Sequence, residues 1–255
     1  MISIVTGTLN RLKFLPELIK NTVDSNSLLE LVLVDGGSTD GTIEYIKDLN
    51  HPQIKLIEIG RRTSYPHFMN MGVRNARYEF ICQWNDDVLM CNDWQYVIDK
   101  VREQGKLNFA FAMLFNWKYG DPEDMESDEW LECAGMRDNG WIIINNAEYK
   151  YREARGEKPN EVCMNYGIYS KSVFRSRGLY NENYGYYCAD AEMAMRAYHS
   201  GIKFLTCFDI KICVLPAEKR AIMYNEDVWR YNDFCNKKLY QDPRYLTYQE
   251  LEANI

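Results

Sequence analysis

Two short acidic stretches stand out. Val34-Asp35-Gly36-Gly37-Ser38-Thr39-Asp40-Gly41-Thr42 follows an apolar run, and so does Asn85-Asp86-Asp87. Each places carboxylates where a strand ends, and ligands of open α/β sheets bind outside the carboxyl ends of strands. A bare carboxylate repels phosphate. It can instead hold a divalent cation, which in turn holds a diphosphate. The pair of loops therefore points to an enzyme that handles a nucleotide-diphosphate compound.

The elements that must position these loops follow from periodicity. Residues 2–6 read as a first strand, ending in Gly7-Thr8, and 12–23 carry a helical apolar stripe. Residues 29–34 are uniformly apolar, as in a strand covered on both faces. Helices are expected over 41–49, 66–76 (with a Pro in its first turn) and 94–101, and strands over 54–59 and 80–84. Alternation of strand and helix predicts a doubly wound, mostly parallel sheet. A further strand is expected over 109–115. Residues 117–160 show little periodicity and are expected to run over one end of the sheet, where substrate loops lie. Beyond them come strands at 162–169, 203–206 and 211–215, with helices at 171–177 and 190–200. Residues 216–255 read as a C-terminal appendage with a helix near 226–239. The expected organisation is one domain over 1–215, its nucleotide half about 1–116 and its acceptor half about 117–215, followed by this tail.

Composition narrows the class. The 255 residues are 46% hydrophobic, enough for a sizeable core. A net charge of −7 argues against a nucleic-acid partner. None of the eight cysteines forms a C-x-x-C pair, which suits free thiols in a reducing compartment. No stretch of 18 apolar residues predicts a transmembrane segment. The expectation is a cytoplasmic protein.

In order and spacing, the motifs resemble the glycosyltransferase family 2 domain, with its GT-A fold. That family opens with Pro-Thr-Tyr-Asn-Arg after its first strand; here Gly7-Thr8-Leu9-Asn10-Arg11 matches at Thr8, Asn10 and Arg11. Its Val-Asp-Asp-Gly-Ser-Thr-Asp-Gly-Thr corresponds to residues 34–42, with only the second Asp lost. Its Asp-x-Asp loop corresponds to Asn85-Asp86-Asp87, a variant resembling rhamnosyltransferase-like members. A later family block corresponds to Gly178-Leu179-Tyr180-Asn181-Glu182, Ala189-Asp190-Ala191-Glu192-Met193, Arg196 and Gly201. The resemblance covers roughly residues 2–215.

It implies a role for each matching residue. Asp35 would accept a hydrogen bond from the nucleotide base, commonly uracil; its alternative is a turn or capping carboxylate. Asp87 would bind Mn²⁺ or Mg²⁺, with Asp86 on the ribose or the metal's outer shell; the alternative is a solvated acidic turn. Thr8, Asn10, Arg11 and Asn70 complete the nucleotide-sugar side. Arg61 and Arg62 after the third strand either bind phosphate or base, or form a solvated turn. The His that often completes the family's metal site is missing from Ile212-Cys213-Val214-Leu215.

Asp190 is the candidate general base. It opens a helix, where the dipole stabilises a carboxylate, and it could take the proton of an attacking hydroxyl. The family's Glu before it is Ala189 here. Glu192 is spaced to pair with Arg196, which favours a structural role. Trp117, Trp130 and Trp141 are the candidate acceptor platform, or else pins that hold a long loop to the core. The expected function is inverting, metal-assisted transfer of a sugar from a UDP, dTDP or GDP donor to a glycan or other hydroxyl. A nucleotidyltransferase and a catalytically inactive sugar-binding or interaction module are the alternatives. The former would need a glycine-rich basic loop after the first strand, and Thr8-Leu9-Asn10-Arg11 offers one Arg and no such glycine run; Ala189 and the missing His keep the latter open.

Overall fold

The computed structural model describes residues 1–108, 110–119, 166–215, 225–242 and 245. Eight strands form one sheet: β1 (Ile2–Thr8), β2 (Leu29–Asp35), β3 (Ile54–Glu58), β4 (Phe80–Gln83), β5 (Val88–Met90), β6 (Phe111–Tyr119), β7 (Gly167–Ser170) and β8 (Lys203–Val214). Their order across the sheet is β3-β2-β1-β4-β7-β6-β8-β5. The first four are mutually parallel, so β1, β2 and β4 end on the same side. The other half is mixed: β7 runs antiparallel to both β4 and β6, β8 runs parallel to β6, and β5 antiparallel to β8.

The apolar runs are continuous because both faces of the sheet are covered. Ile2, Ile4, Leu31 and Leu33 point to one face, packing with α1 (Leu15–Asn21), α2 (Thr42–Leu49) and α4 (Trp94–Leu107). Val5 and Val32 point to the other, with α3 (Tyr65–Asn75), α5 (Lys171–Arg177), α6 (Ala189–His199) and α7 (Asn225–Asn236). Successive strand residues thus serve two cores, as the period of two requires. α3 lies so close to β1 that a Cβ on Gly72 would sit 2.1 Å from Val5 Cγ1. Glycine there sets the depth at which α3 packs.

Four expectations change in detail. The stripe over 12–23 divides into a 3₁₀ turn, Leu12–Phe14, and α1, with Pro16 in the first turn of α1. β5 was not expected; three residues are too few for a periodic signal. The two strands expected at 203–206 and 211–215 are one strand, β8, whose pairing with β6 shifts register at Phe115/Asn116. A bulge of this kind interrupts alternation without ending the strand. α7 is packed against α6 through buried Tyr231 and Phe234, within the same core as Tyr184 and Met193. No described helix is long and apolar enough to cross a membrane.

Candidate active site

Trp84, fully buried, fixes the base of the second acidic loop. Its indole N–H donates to Val88 O at 2.9 Å, spanning residues 85–87, and its ring packs against Trp94, Phe115 and Tyr166. Asp87 O accepts from Leu215 N at 2.8 Å. The loop is therefore clamped from β8 as well as from β4.

From this loop Asp86 turns inward and is only 7% exposed. Its Oδ2 accepts from Thr8 Oγ1 at 2.9 Å, and its Oδ1 from Arg11 Nε at 3.1 Å. Arg11 Nη2 donates to Asp87 Oδ2 at 2.6 Å. One guanidinium thus bridges two adjacent carboxylates, lying 4.3 Å from the centre of the Phe14 ring. Burial pushes the Asp86 carboxyl up to about 6; Arg11 opposes this, Asp87 adds to it, and Thr8 opposes it.

The first acidic loop is folded around Asp35. Its Oδ1 accepts from the Gly37 and Ser38 amides at 2.7 and 2.9 Å, and its Oδ2 from Ser38 Oγ at 2.5 Å. Oδ1 has both lone-pair directions filled, while Oδ2 keeps capacity for another donor. Asn10, in the left-handed region at φ 54°, stitches the β1 and β2 loops together. Its amide donates to Ser38 Oγ at 2.8 Å and its Oδ1 accepts from Thr39 N at 2.7 Å. Asp40 does the same work further out, accepting from the Leu12 and Thr42 amides.

Asn70 is spent on packing α3 against the 180–182 segment. Its Oδ1 accepts from Tyr180 N at 2.9 Å, and its Nδ2 donates to Tyr180 O and Glu182 Oε1. Arg61 and Arg62 are exposed on the turn after β3. Trp117 is half-buried in β6 and meets Tyr166 edge-on at 5.6 Å, part of the wall behind Trp84. Trp130 and Trp141 lie outside the described residues.

Asp190 occupies the first turn of α6, after Cys188 in the left-handed region at φ 62°. Burial holds the Tyr65 and Tyr180 phenols well above their ordinary pKa, and the charge of Asp190 adds to both. The Tyr65 ring meets Tyr186 at 6.0 Å. The Tyr186 phenol is likewise raised, first by burial and then by Asp87. The charge of Asp190 thus reaches Tyr65 and that of Asp87 reaches Tyr186, and the two rings touch. Glu192 faces away from this site, in a buried pair with Arg196 at 3.0 Å.

A residue that the sequence does not single out organises this side. Asp227, on α7 and 2% exposed, accepts from the amides of Gly185, Tyr186 and Tyr187 at 2.8, 2.7 and 2.9 Å. It fixes the loop that carries Tyr186 and leads into α6. Its only sequence signal is a carboxylate in a helix's first turn, which commonly serves that helix instead. In Asp227→Ala, amide hydrogen exchange at Tyr186 and Tyr187 is expected to accelerate by at least about tenfold, the scale of losing roughly 1.5–3 kcal/mol per charge-assisted bond. Unchanged protection would show that the loop holds itself.

Among the described residues, no cluster of three His, Cys, Asp or Glu side chains is placed to hold a metal ion. The described cysteines are free, with Cys82, Cys207 and Cys213 buried.

The family model described as "Glycosyl transferase family 2" matches residues 3–175. A comparison with curated protein sequences finds no match. Among solved structures, the chain is similar to the mannosyltransferase PcManGT from Pyrobaculum calidifontis, in complex with GDP-Man and Mn²⁺. The TM-score is 0.62 at 16% identity, over 85% of this chain and 57% of that one. It is also similar to S. aureus TarS 1–349 in complex with UDP-GlcNAc, with a TM-score of 0.65 at 16% identity, over 99% of this chain and 69% of that one. The chain thus spans little more than half the length of the first of these proteins. At these identities the likeness establishes the GT-A fold. The family match extends over β1 to α5, including both acidic loops, and it identifies the protein: the chain belongs to glycosyl transferase family 2.

Proposed function

We propose that this chain transfers a sugar from a nucleotide-diphosphate sugar to an acceptor hydroxyl, with inversion at the anomeric carbon. The observation that supports the reading is the gathering of Thr8, Arg11, Asp35, Asp86 and Asp87 at or just beyond the carboxyl ends of β1, β2 and β4. The neighbours' GDP-Man and UDP-GlcNAc support the same class of donor.

Asp35 takes the base N–H on Oδ2, in a loop already rigid before the nucleotide arrives. Arg11 and the β1 loop face the diphosphate. Asp190 accepts the acceptor's proton as that oxygen bonds to the anomeric carbon. The bond from that carbon to the diphosphate oxygen breaks, and its electron pair leaves with the nucleoside diphosphate. Tyr186 and Tyr65 line the space between.

Asp86 and Asp87 suit a hard divalent cation. Their donors are carboxylate oxygens, already gathered around a positive group, the Arg11 guanidinium. When bound, Mn²⁺ or Mg²⁺ would neutralise the charge that develops on the departing diphosphate. The two carboxylates would hold it, with remaining ligands drawn from phosphate and water. A cytoplasmic location suits the free thiols.

The reading is tested by calorimetric titration with UDP, dTDP and GDP. One of them should bind, and Asp35→Ala should weaken it about tenfold or more, the scale of one charge-assisted hydrogen bond of about 1.5–3 kcal/mol. Binding of none of the three would remove the nucleotide from the proposal. An unchanged affinity in a folded Asp35→Ala variant would place the base elsewhere.

A further inference from the structure

We propose that Arg11 is the resident counter-ion of the Asp86–Asp87 pair, and that a divalent cation binds there only as a nucleoside diphosphate draws Arg11 away. The inference rests on the metal reading given above and concerns what stands in the metal's place.

The side-chain oxygens of the pair are held from β1 and the turn after it. Asp86 Oδ1 and Asp87 Oδ2 are joined by the Arg11 fork at 3.1 and 2.6 Å, and Asp86 Oδ2 is held by Thr8 at 2.9 Å. Two neighbouring carboxylates repel each other, and the Arg11 guanidinium that joins them offsets that repulsion. A divalent cation on the same oxygens would meet the guanidinium at close range, and two cations cannot share those oxygens without strong repulsion. Metal and Arg11 are therefore alternatives for one set of ligands.

The arginine has somewhere to go. Its side chain is 24% exposed while those of Asp86 and Asp87 are 9% and 15% exposed, so Arg11 is the member of the cluster most open to solvent. It follows Asn10 in the turn where the β1 and β2 loops are stitched together, at the strand ends that face the donor. A diphosphate offers pairs of anionic oxygens that the planar guanidinium fork can engage two at a time. The exchange conserves charge pairing. The carboxylates pass from arginine to metal, and the arginine passes from carboxylates to phosphate. Metal and diphosphate then assist each other's binding, and the coupling is reciprocal.

The test is a Mn²⁺ titration followed by electron paramagnetic resonance, with wild type, Arg11→Met and Arg11→Lys, each with and without UDP or GDP. Asp87→Ala serves as the background for Mn²⁺ carried by nucleotide alone. Wild type should bind Mn²⁺ weakly by itself and about tenfold or more tightly with the nucleotide, within the usual range of such coupling. Arg11→Met should bind Mn²⁺ alone about tenfold or more tightly than wild type, and should lose the dependence on nucleotide. Arg11→Lys keeps a charge without the fork and should fall between them, which guards against a Met variant that folds poorly. Equal Mn²⁺ affinity of all three proteins, with the ion bound in the presence of nucleotide, would overturn the counter-ion role and leave the metal reading standing. An absence of protein-bound Mn²⁺ in every sample would overturn both.

Discussion

Asp190→Asn is expected to lower turnover by about 10²–10⁴-fold, the usual contribution of a positioned general base. Asparagine keeps the size of the side chain and the start of α6 but cannot take up a proton. Nucleotide affinity should be unchanged, because in the proposed reaction Asp190 serves the acceptor and Asp35, Asp86 and Asp87 serve the donor. The measurement is nucleoside diphosphate released from a nucleotide sugar, alongside calorimetric binding of the nucleotide. Near-normal release by a folded variant would mean that another group removes the proton. Lost nucleotide affinity would instead place Asp190 on the donor side. Glu192→Gln is the companion variant, and its turnover per folded molecule should be close to wild type.

The largest effect on stability is expected at Arg196. Both Arg196 and Glu192 are fully buried. Arg196 Nε meets Glu192 Oε1 at 3.0 Å, Nη2 donates to Leu179 O at 2.6 Å, and Nη1 donates to Arg177 O. Glu192 Oε1 also accepts from Tyr245 Oη at 2.5 Å. Arg196→Met would leave a buried carboxylate without its counter-charge and two carbonyls without a donor. Removing one partner of such a pair costs about 3–5 kcal/mol. For a chain of this size that lowers the melting temperature by roughly 6–20 °C. A denaturant-derived loss below about 1 kcal/mol would show that the pair is open to water. Because the pair ties α6 to the 177–179 segment, the variant should lose stability before it loses nucleotide binding.

How much of this was legible in the sequence varied by region. The strands β1 to β4 were readable because two-sided burial makes their apolar runs continuous, and β2 carries Asp35 at its end. The position of the acidic loops was readable because each directly follows a continuous apolar run. The Glu192–Arg196 pair followed from helical spacing alone. What failed was anything set by distant contact. The single long β8 was hidden by its bulge, since a bulge breaks alternation without breaking the strand. Asn70 was expected on the nucleotide-sugar side, whereas its carboxamide bonds Tyr180 and Glu182, more than a hundred positions away. Asp227 gave no signal, because three backbone amides on a remote loop leave no trace in the residues around it. The bridging position of Arg11 was equally silent: the motif names the residue but not the two carboxylates it joins.

The anchorage of residues 185–187 by Asp227 also sets an order of assembly. The carboxylate is synthesised 40 to 42 positions after the amides it receives. At about 5–20 residues per second, the loop waits roughly 2–8 s on the ribosome for its partner. By then β1 to β4 and the Asp35 loop are long complete, whereas the Asp86–Asp87 loop gains its clamp only with Leu215. The nascent chain is therefore expected to acquire its nucleotide-facing half first and its tyrosine-lined half last. A released chain ending between residues 216 and 226 should hold a nucleoside diphosphate without a fixed approach for the acceptor, so donor consumption begins only once α7 has been made.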